Sequence, residues 1–125
     1  MIKLKIQESA ENYLEAIFTL SQARPDVHAI DIAAHLEFSK PSVSVAMKKL
    51  REAGYILVDE NGHIRLTDSG REIAERVYER HTFLTQWLIS LNVPPGIAAE
   101  DACRMEHVLS KESFEAIRAF ASQDH

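Results

Sequence analysis

The chain has 125 residues, 46% of them hydrophobic and 26% charged, with four glycines and four prolines; this is a globular balance and excludes a disordered tail. That length buries one modest core or two small modules, and excludes several independent domains. A net charge of −5 argues against a generic nucleic-acid binder, because neutralising phosphates calls for a basic surface.

The charge is unevenly spread. Residues 37–65 carry five basic side chains against four acidic ones, whereas residues 99–125 carry three against six. The first region suits DNA, and the second is acidic enough to attract a cation. Residues 1–7 contain no apolar stretch of signal-peptide length, and no later stretch approaches the roughly 20 apolar residues that span a bilayer. A cytoplasmic protein with no membrane partner is expected. Cys103, the single cysteine, closes no internal disulfide and is either buried filler or a thiolate put to chemical use.

From Ser9 to Ala23, Ala10, Tyr13, Leu14, Ile17, Phe18 and Leu20 recur at helical spacing, which predicts an amphipathic helix capped by Ser9 and ended by Pro25. A short helix follows over residues 29–36, then a break at Glu37-Phe38-Ser39 that leaves room only for a turn. Ser39 caps a third helix with Lys40 and Pro41 in its first turn. Its buried side is read as Val43, Val45, Ala46, Met47 and Leu50, and its stop as Gly54.

The period then changes from 3.6 to 2. Residues 55–58 and 63–66 are short β-prone runs on either side of Asp59-Glu60-Asn61-Gly62, and Asn-Gly is a strong hairpin signal. A hairpin directly behind a helix-turn-helix is a wing. Thr67 caps a helix running to Leu91, about 24 residues or roughly 36 Å. After Pro94-Pro95-Gly96, helices are expected over 97–109 and, capped by Ser110, over 111–122. The apolar set Val108, Leu109, Phe114, Ile117, Phe120 and Ala121 exceeds what so short a tail hides, so a second copy of the chain is expected to cover it.

Two groups of residues carry chemistry. The third helix presents Ser39, Lys40, Pro41, Ser42, Ser44, Lys48 and Lys49, and the second helix of a helix-turn-helix places its N-terminal residues at major-groove base edges. A bare lysine cluster is often only a solvated face, but here a tight turn precedes it and a wing follows. In that wing Asn61, His63 and Arg65 are candidates for the sugar-phosphate backbone or the minor groove, beside the plainer reading of a hairpin tip. The second group is Cys103, Glu106 and His107, at i, i+3 and i+4 on one helical face. Thiolate, carboxylate and imidazole together suit a divalent first-row transition metal. Taken alone, the same pattern also describes a buried cysteine beside a surface Glu-His pair. Asn12 and Glu15, at i, i+3 on the first helix, and His81 on the long helix make a site drawn from three helices available; His81 reads equally as a core histidine.

The segment 101–110 (DACRMEHVLS), the entry 11–17 (ENYLEAI) and 66–70 (LTDSG) resemble the DtxR/MntR family of metal-activated dimeric repressors, the diphtheria-toxin-repressor and manganese-transport-regulator proteins. The similarity runs in order from about Ser9 to Phe120. It implies a winged-helix domain, a helical dimerisation domain, and a metal site joining the first helix to the second domain. By motif match Cys103, Glu106 and His107 are ligands, with Asn12 as the first-helix ligand; His81 and Glu15 match positions used by other metals or branches. Where this chain has Asn12, the iron-type branch has methionine and the manganese-type branch aspartate. Thr85 and Ala99 replace a glutamate and a histidine of the iron-type ancillary site, so that form of the site is expected to be absent. Cys103 is similar to the iron-type set, and Glu15 and His81 to the manganese-type set. The SH3-like third domain of the iron-type branch is not expected here, by resemblance to the manganese-type sequences.

The expected architecture is therefore mainly α with a small β-wing: a winged helix-turn-helix DNA-binding domain over residues 1–72, followed by an all-α metal-binding and dimerisation domain over 73–125. The expected function is metal-dependent repression of metal-homeostasis genes at a palindromic double-stranded DNA operator by a homodimer. Mn²⁺ or Fe²⁺ is the expected corepressor, with Zn²⁺, Co²⁺ or Ni²⁺ as substitutes in vitro. A winged-helix regulator without metal control is the alternative. Enzymatic use of Cys103 and His107 as a thiolate-imidazole pair is disfavoured, because no glycine loop for stabilising an oxyanion accompanies them.

Overall fold

The computed structural model describes residues 2–123, with side chains from residue 9 onward. The described elements are α1 (Ile2–Ala23), α2 (Ala29–Leu36), α3 (Lys40–Glu52), β1 (Ile56–Val58), β2 (Ile64–Leu66), α4 (Asp68–Ser90), α5 (Pro95–Val108) and α6 (Lys111–Ala121). They fall into two units, Met1–Glu75 and Arg76–His125, and α4 belongs in part to each. No helix among the described residues is long and apolar enough to cross a membrane.

In the first unit, Tyr13, Leu14, Ile17 and Phe18 of α1 pack with Val27, Ile32, Val43, Met47, Leu50, Ile56, Ile64 and Ala74 into one core. The stripe read from the sequence is the buried one. The start of α1 is not: the helix begins at Ile2, so Ser9 lies inside it rather than capping it. Residues 2–8 contain no proline or glycine, and nothing in their composition stops a helix from propagating backwards.

The helix-turn-helix is closed by Glu37, a non-glycine residue in the left-handed region (φ 59°) whose N–H donates to Ala33 O. At the start of α3, Ser39 Oγ accepts from Ser42 N at 3.3 Å. At its end Gly54 (φ 84°) turns the chain, with Gly54 N on Arg51 O at 3.1 Å and Tyr55 N on Leu50 O at 3.0 Å. Thr67 then joins two elements: its hydroxyl donates to Gly54 O at 2.7 Å and accepts from Gly70 N at 3.2 Å. A Cβ on Gly70 would sit 2.0 Å from Tyr55 O, so only glycine lets α4 start this close to the end of α3.

β1 and β2 pair antiparallel with Ile56 opposite Leu66 and Val58 opposite Ile64. The hairpin is where the sequence puts it, but the turn is differently built. Asn61-Gly62 is not its central pair: Gly62 N bonds Asp59 O at 3.0 Å, Gly62 alone takes a positive φ (82°), and Asp59 Oδ1 accepts from Asn61 N and His63 N, both at 2.9 Å. The aspartate side chain bonding its own following backbone sets the turn.

The second unit has a small core of Leu84, Ala102 and Phe114, with Phe83, Trp87, Met105 and Leu109 around it, and the Phe83 and Phe114 rings meet edge to face at 5.6 Å. α4 ends at Ser90 through Asn92 (φ 72°), with Val93 N on Leu88 O. α5 starts at Pro95, two residues before the expected Ile97, because proline is at home in a helix's first turn. Phe114, expected to need a partner's cover, is buried by its own chain, whereas Val108 and Phe120 stay 74% and 60% exposed.

Candidate metal centre and nucleic-acid interface

The last turns of α5 place Cys103, Glu106 and His107 on one face, and their ligand atoms lie within 4.8 Å of one another. α4 adds His81 from the same unit. His81 Nδ1 is 3.2 Å from Glu106 Oε2, and His107 Nε2 is 3.3 Å from Glu106 Oε1. The Glu106 side chain has no solvent exposure, and that of His107 only 1%. Yet neither Glu106 oxygen accepts a hydrogen bond among the described residues. A buried carboxylate left without donors costs several kcal/mol unless a cation takes their place. Two imidazoles and a thiol converging on it complete a donor set that fits a borderline divalent metal.

Arg80, which the sequence did not single out, holds this face in place. Its guanidinium donates to Glu106 O at 3.0 Å and Leu109 O at 3.1 Å, satisfying carbonyls at the end of α5, and lies 4.8 Å over the Phe114 ring. An arginine beside a histidine on an amphipathic helix gives no sequence signal for such a clamp. Thr85 Oγ1 donates to His81 O at 2.8 Å. Asn12 and Glu15 belong to the other unit, three residues apart on α1 and both half-buried.

On α3 the exposed residues are Lys40, Pro41, Ser42, Ser44, Val45, Lys48, Lys49, Arg51 and Glu52, while Val43, Met47 and Leu50 are buried. Val45, which the sequence reading placed on the buried side, is 55% exposed. At 100° per residue it falls with Pro41, Ser44 and Lys48 on the outer stripe. Ser39 and Ser42 are partly committed to each other, with Ser39 Oγ donating to Ser42 Oγ at 2.8 Å. In the wing Asn61 and Arg65 are exposed, and Leu57, paired with Arg65, is 61% exposed. His63 is only half-exposed, its ring edge-to-face with His28 at 4.7 Å.

Residues 5–64 match the iron-dependent repressor N-terminal DNA-binding domain, and residues 67–123 match the iron-dependent repressor metal-binding and dimerisation domain. The chain belongs to the iron-dependent repressor family. It is 34% identical over 117 residues to the transcriptional regulator MntR of Salmonella typhimurium, covering 94% of this chain and 74% of that protein. Among solved structures, a manganese-dependent transcriptional repressor in complex with manganese superposes with a TM-score of 0.81 at 29% identity, covering 90% of this chain and 52% of that one. The manganese regulator SloR gives 0.79, also at 29% identity, covering 89% and 52%. The chain thus spans about half the length of these solved structures. The iron-dependent repressor family is one of transcriptional regulators that bind DNA and metal, and the fold of this member is a winged helix-turn-helix followed by a helical unit.

Proposed function

We propose that this family member represses metal-homeostasis genes in the cytoplasm when a divalent first-row transition metal, Mn²⁺ or Fe²⁺, binds at Cys103, Glu106 and His107 together with His81 of α4 and with Asn12 and Glu15 of α1. The observation that carries the reading is Glu106, a buried carboxylate facing two imidazoles with no hydrogen bond to either oxygen. The metal supplies positive charge and directional bonds there. Cys103 and Glu106 offset the charge, His81 and His107 donate nitrogen lone pairs, and Arg80 holds the end of α5 so that the donors stay convergent.

Because α1 belongs to the DNA-binding unit, a bond from its Asn12 or Glu15 to the same ion fixes how two wing-bearing units of a dimer address a palindromic operator. Moving such a two-state equilibrium from 1:99 to 99:1 takes about 5.5 kcal/mol of differential affinity, which transition-metal coordination supplies. On the operator, Ser42, Ser44 and the Val45 methyls are the base-facing groups, the last suited to a thymine methyl. Lys40, Lys48, Lys49, Asn61 and Arg65 take phosphates.

The test is operator binding by fluorescence anisotropy in chelator, Mn²⁺, Fe²⁺ and Zn²⁺. The parent should tighten at least about a hundredfold with metal, and His107→Ala should lose that response while keeping its helical circular dichroism. An unchanged metal response in His107→Ala would remove this site as the switch.

A further inference from the structure

We propose that Asp26, His28 and His63 form a second metal site, for a zinc-class divalent ion, at the base of the wing. It lies wholly within the first unit and is independent of the function proposed above.

The placement follows from one backbone hydrogen bond. Ile64 N donates to Val27 O at 2.8 Å, laying the stretch between α1 and α2 alongside β2. Val27 and Ile64 are 1% and 4% exposed, so both point into the core. In extended chain the neighbours of an inward residue point outward. Asp26 and His28 on one side of the bond and His63 on the other therefore emerge together, and one ligand atom from each lies within 4.8 Å of the others. The two rings meet edge to face at 75° rather than stacking. The turn packs against this pair, a Cβ on Gly62 falling 3.5 Å from His28 Cδ2.

The surroundings are those of metal-binding histidines. His63 Nδ1 faces Asp59 Oδ2 at 3.4 Å, and His28 Nδ1 faces Asp31 Oδ2 at 3.8 Å. A carboxylate close to each Nδ1 leaves Nε2 as the ring nitrogen to offer a cation a lone pair. Asp59 and Asp31 are themselves fixed, the first by two backbone N–H groups of its turn and the second by His28 N at 2.9 Å and Arg24 Nη1 at 2.6 Å. Two imidazoles and one carboxylate select Zn²⁺, Cu²⁺ or Ni²⁺ over Ca²⁺ or Mg²⁺, which take oxygen ligands. Three protein ligands leave coordination positions for water. An ion there ties the wing tip to the α1–α2 connection and removes freedom from the hairpin that meets DNA.

The experiment is Zn²⁺ titration by calorimetry into the metal-stripped full chain, in the parent and in a Cys103→Ala/His107→Ala background that disables the first centre. That background should still bind one Zn²⁺ per chain. Adding His63→Ala or, separately, His28→Gln should weaken that binding at least about tenfold, the loss seen even when only a supporting group of a metal site is removed. In the otherwise unmutated chain either change should lower the total by one equivalent. Hydrogen exchange of amides 59–63 should slow on Zn²⁺ addition only when both histidines are present. Zn²⁺ binding and exchange that are indifferent to both histidine changes would overturn the site, whatever the first centre does.

Discussion

Asp31 shows how much one side chain settles at the start of the helix-turn-helix. Its carboxylate accepts from His28 N at 2.9 Å and from Arg24 Nη1 at 2.6 Å. The His28 backbone hydrogen bond and then the Arg24 charge hold the carboxyl below the usual aspartate range. A carboxyl whose folded-state pKa is depressed stabilises the fold above its unfolded value, near 3.9, and loses that contribution as pH falls through the folded value. Asp31→Asn should therefore cost about 1 kcal/mol at pH 7, the size of a helix-start hydrogen bond, and the gap to the parent should close below about pH 4. Urea unfolding in chelator at several pH values reads both effects. At this same scale the sequence was least legible. Val45 was misplaced although the period is enough to place it: Val43, Met47 and Leu50 share the buried face, and two residues on from Val43 the chain has turned to the other side of α3. Arg80 looks like any surface arginine until α5 and α6 are in place around it. Asp26 and His28 meet His63 through a backbone bond between residues 37 positions apart in the chain, which no local pattern encodes.

Elements were easier to read, because helical and strand periods are local properties. The stripe of Tyr13, Leu14, Ile17 and Phe18, the Ser39 cap with Pro41, and the Gly54 stop each forecast what is found. Element ends were harder, since α1 runs back to Ile2 and α5 back to Pro95 without any signal that forbids it. For α3 the exposed face yields a prediction. Lys48 and Lys49 lie past its first turn, where long side chains reach phosphates rather than base edges. Replacing either by alanine should weaken binding to operator and random DNA alike, and reduce the slope of log affinity against log salt by about one unit. An unchanged slope with lost operator preference would reassign that lysine to base reading. The wing's Arg65, fully outward and opposite the exposed Leu57, belongs to the same test as a third site.

For the whole molecule, two small cores and one long helix account for the architecture, and the predicted order of elements matches the structure throughout the described residues. The second core is slight: Leu84, Ala102 and Phe114 are its buried members. Exposed Leu91, Ile97, Val108 and Phe120 lie in the same unit, which is why a second copy is the proposed cover. Burying each phenylalanine is worth about 1.5–3 kcal/mol, and a two-fold interface counts it twice. Phe120→Glu should therefore weaken dimerisation about a hundredfold or more, seen by light scattering across micromolar dilution. A parent that scatters as a monomer in this range, with metal present, would defeat the dimer. The first-helix contribution to the metal centre rests on the family resemblance, because the i, i+3 spacing of Asn12 and Glu15 is common to countless helices.

The division between the two units falls at Glu75 and Arg76, inside the 23-residue α4 rather than in a loop. Proteases need an extended, accessible stretch, and exposed loop tips offer one where the middle of a helix does not. The seam between DNA-binding and metal-binding units is therefore closed to nicking. Cutting there would leave unpaired N–H and C=O groups on both fragments. The exposed connections at 24–26, 37–39, 59–63 and 91–94 are where the chain is open to a protease, and each lies inside one unit rather than between the two.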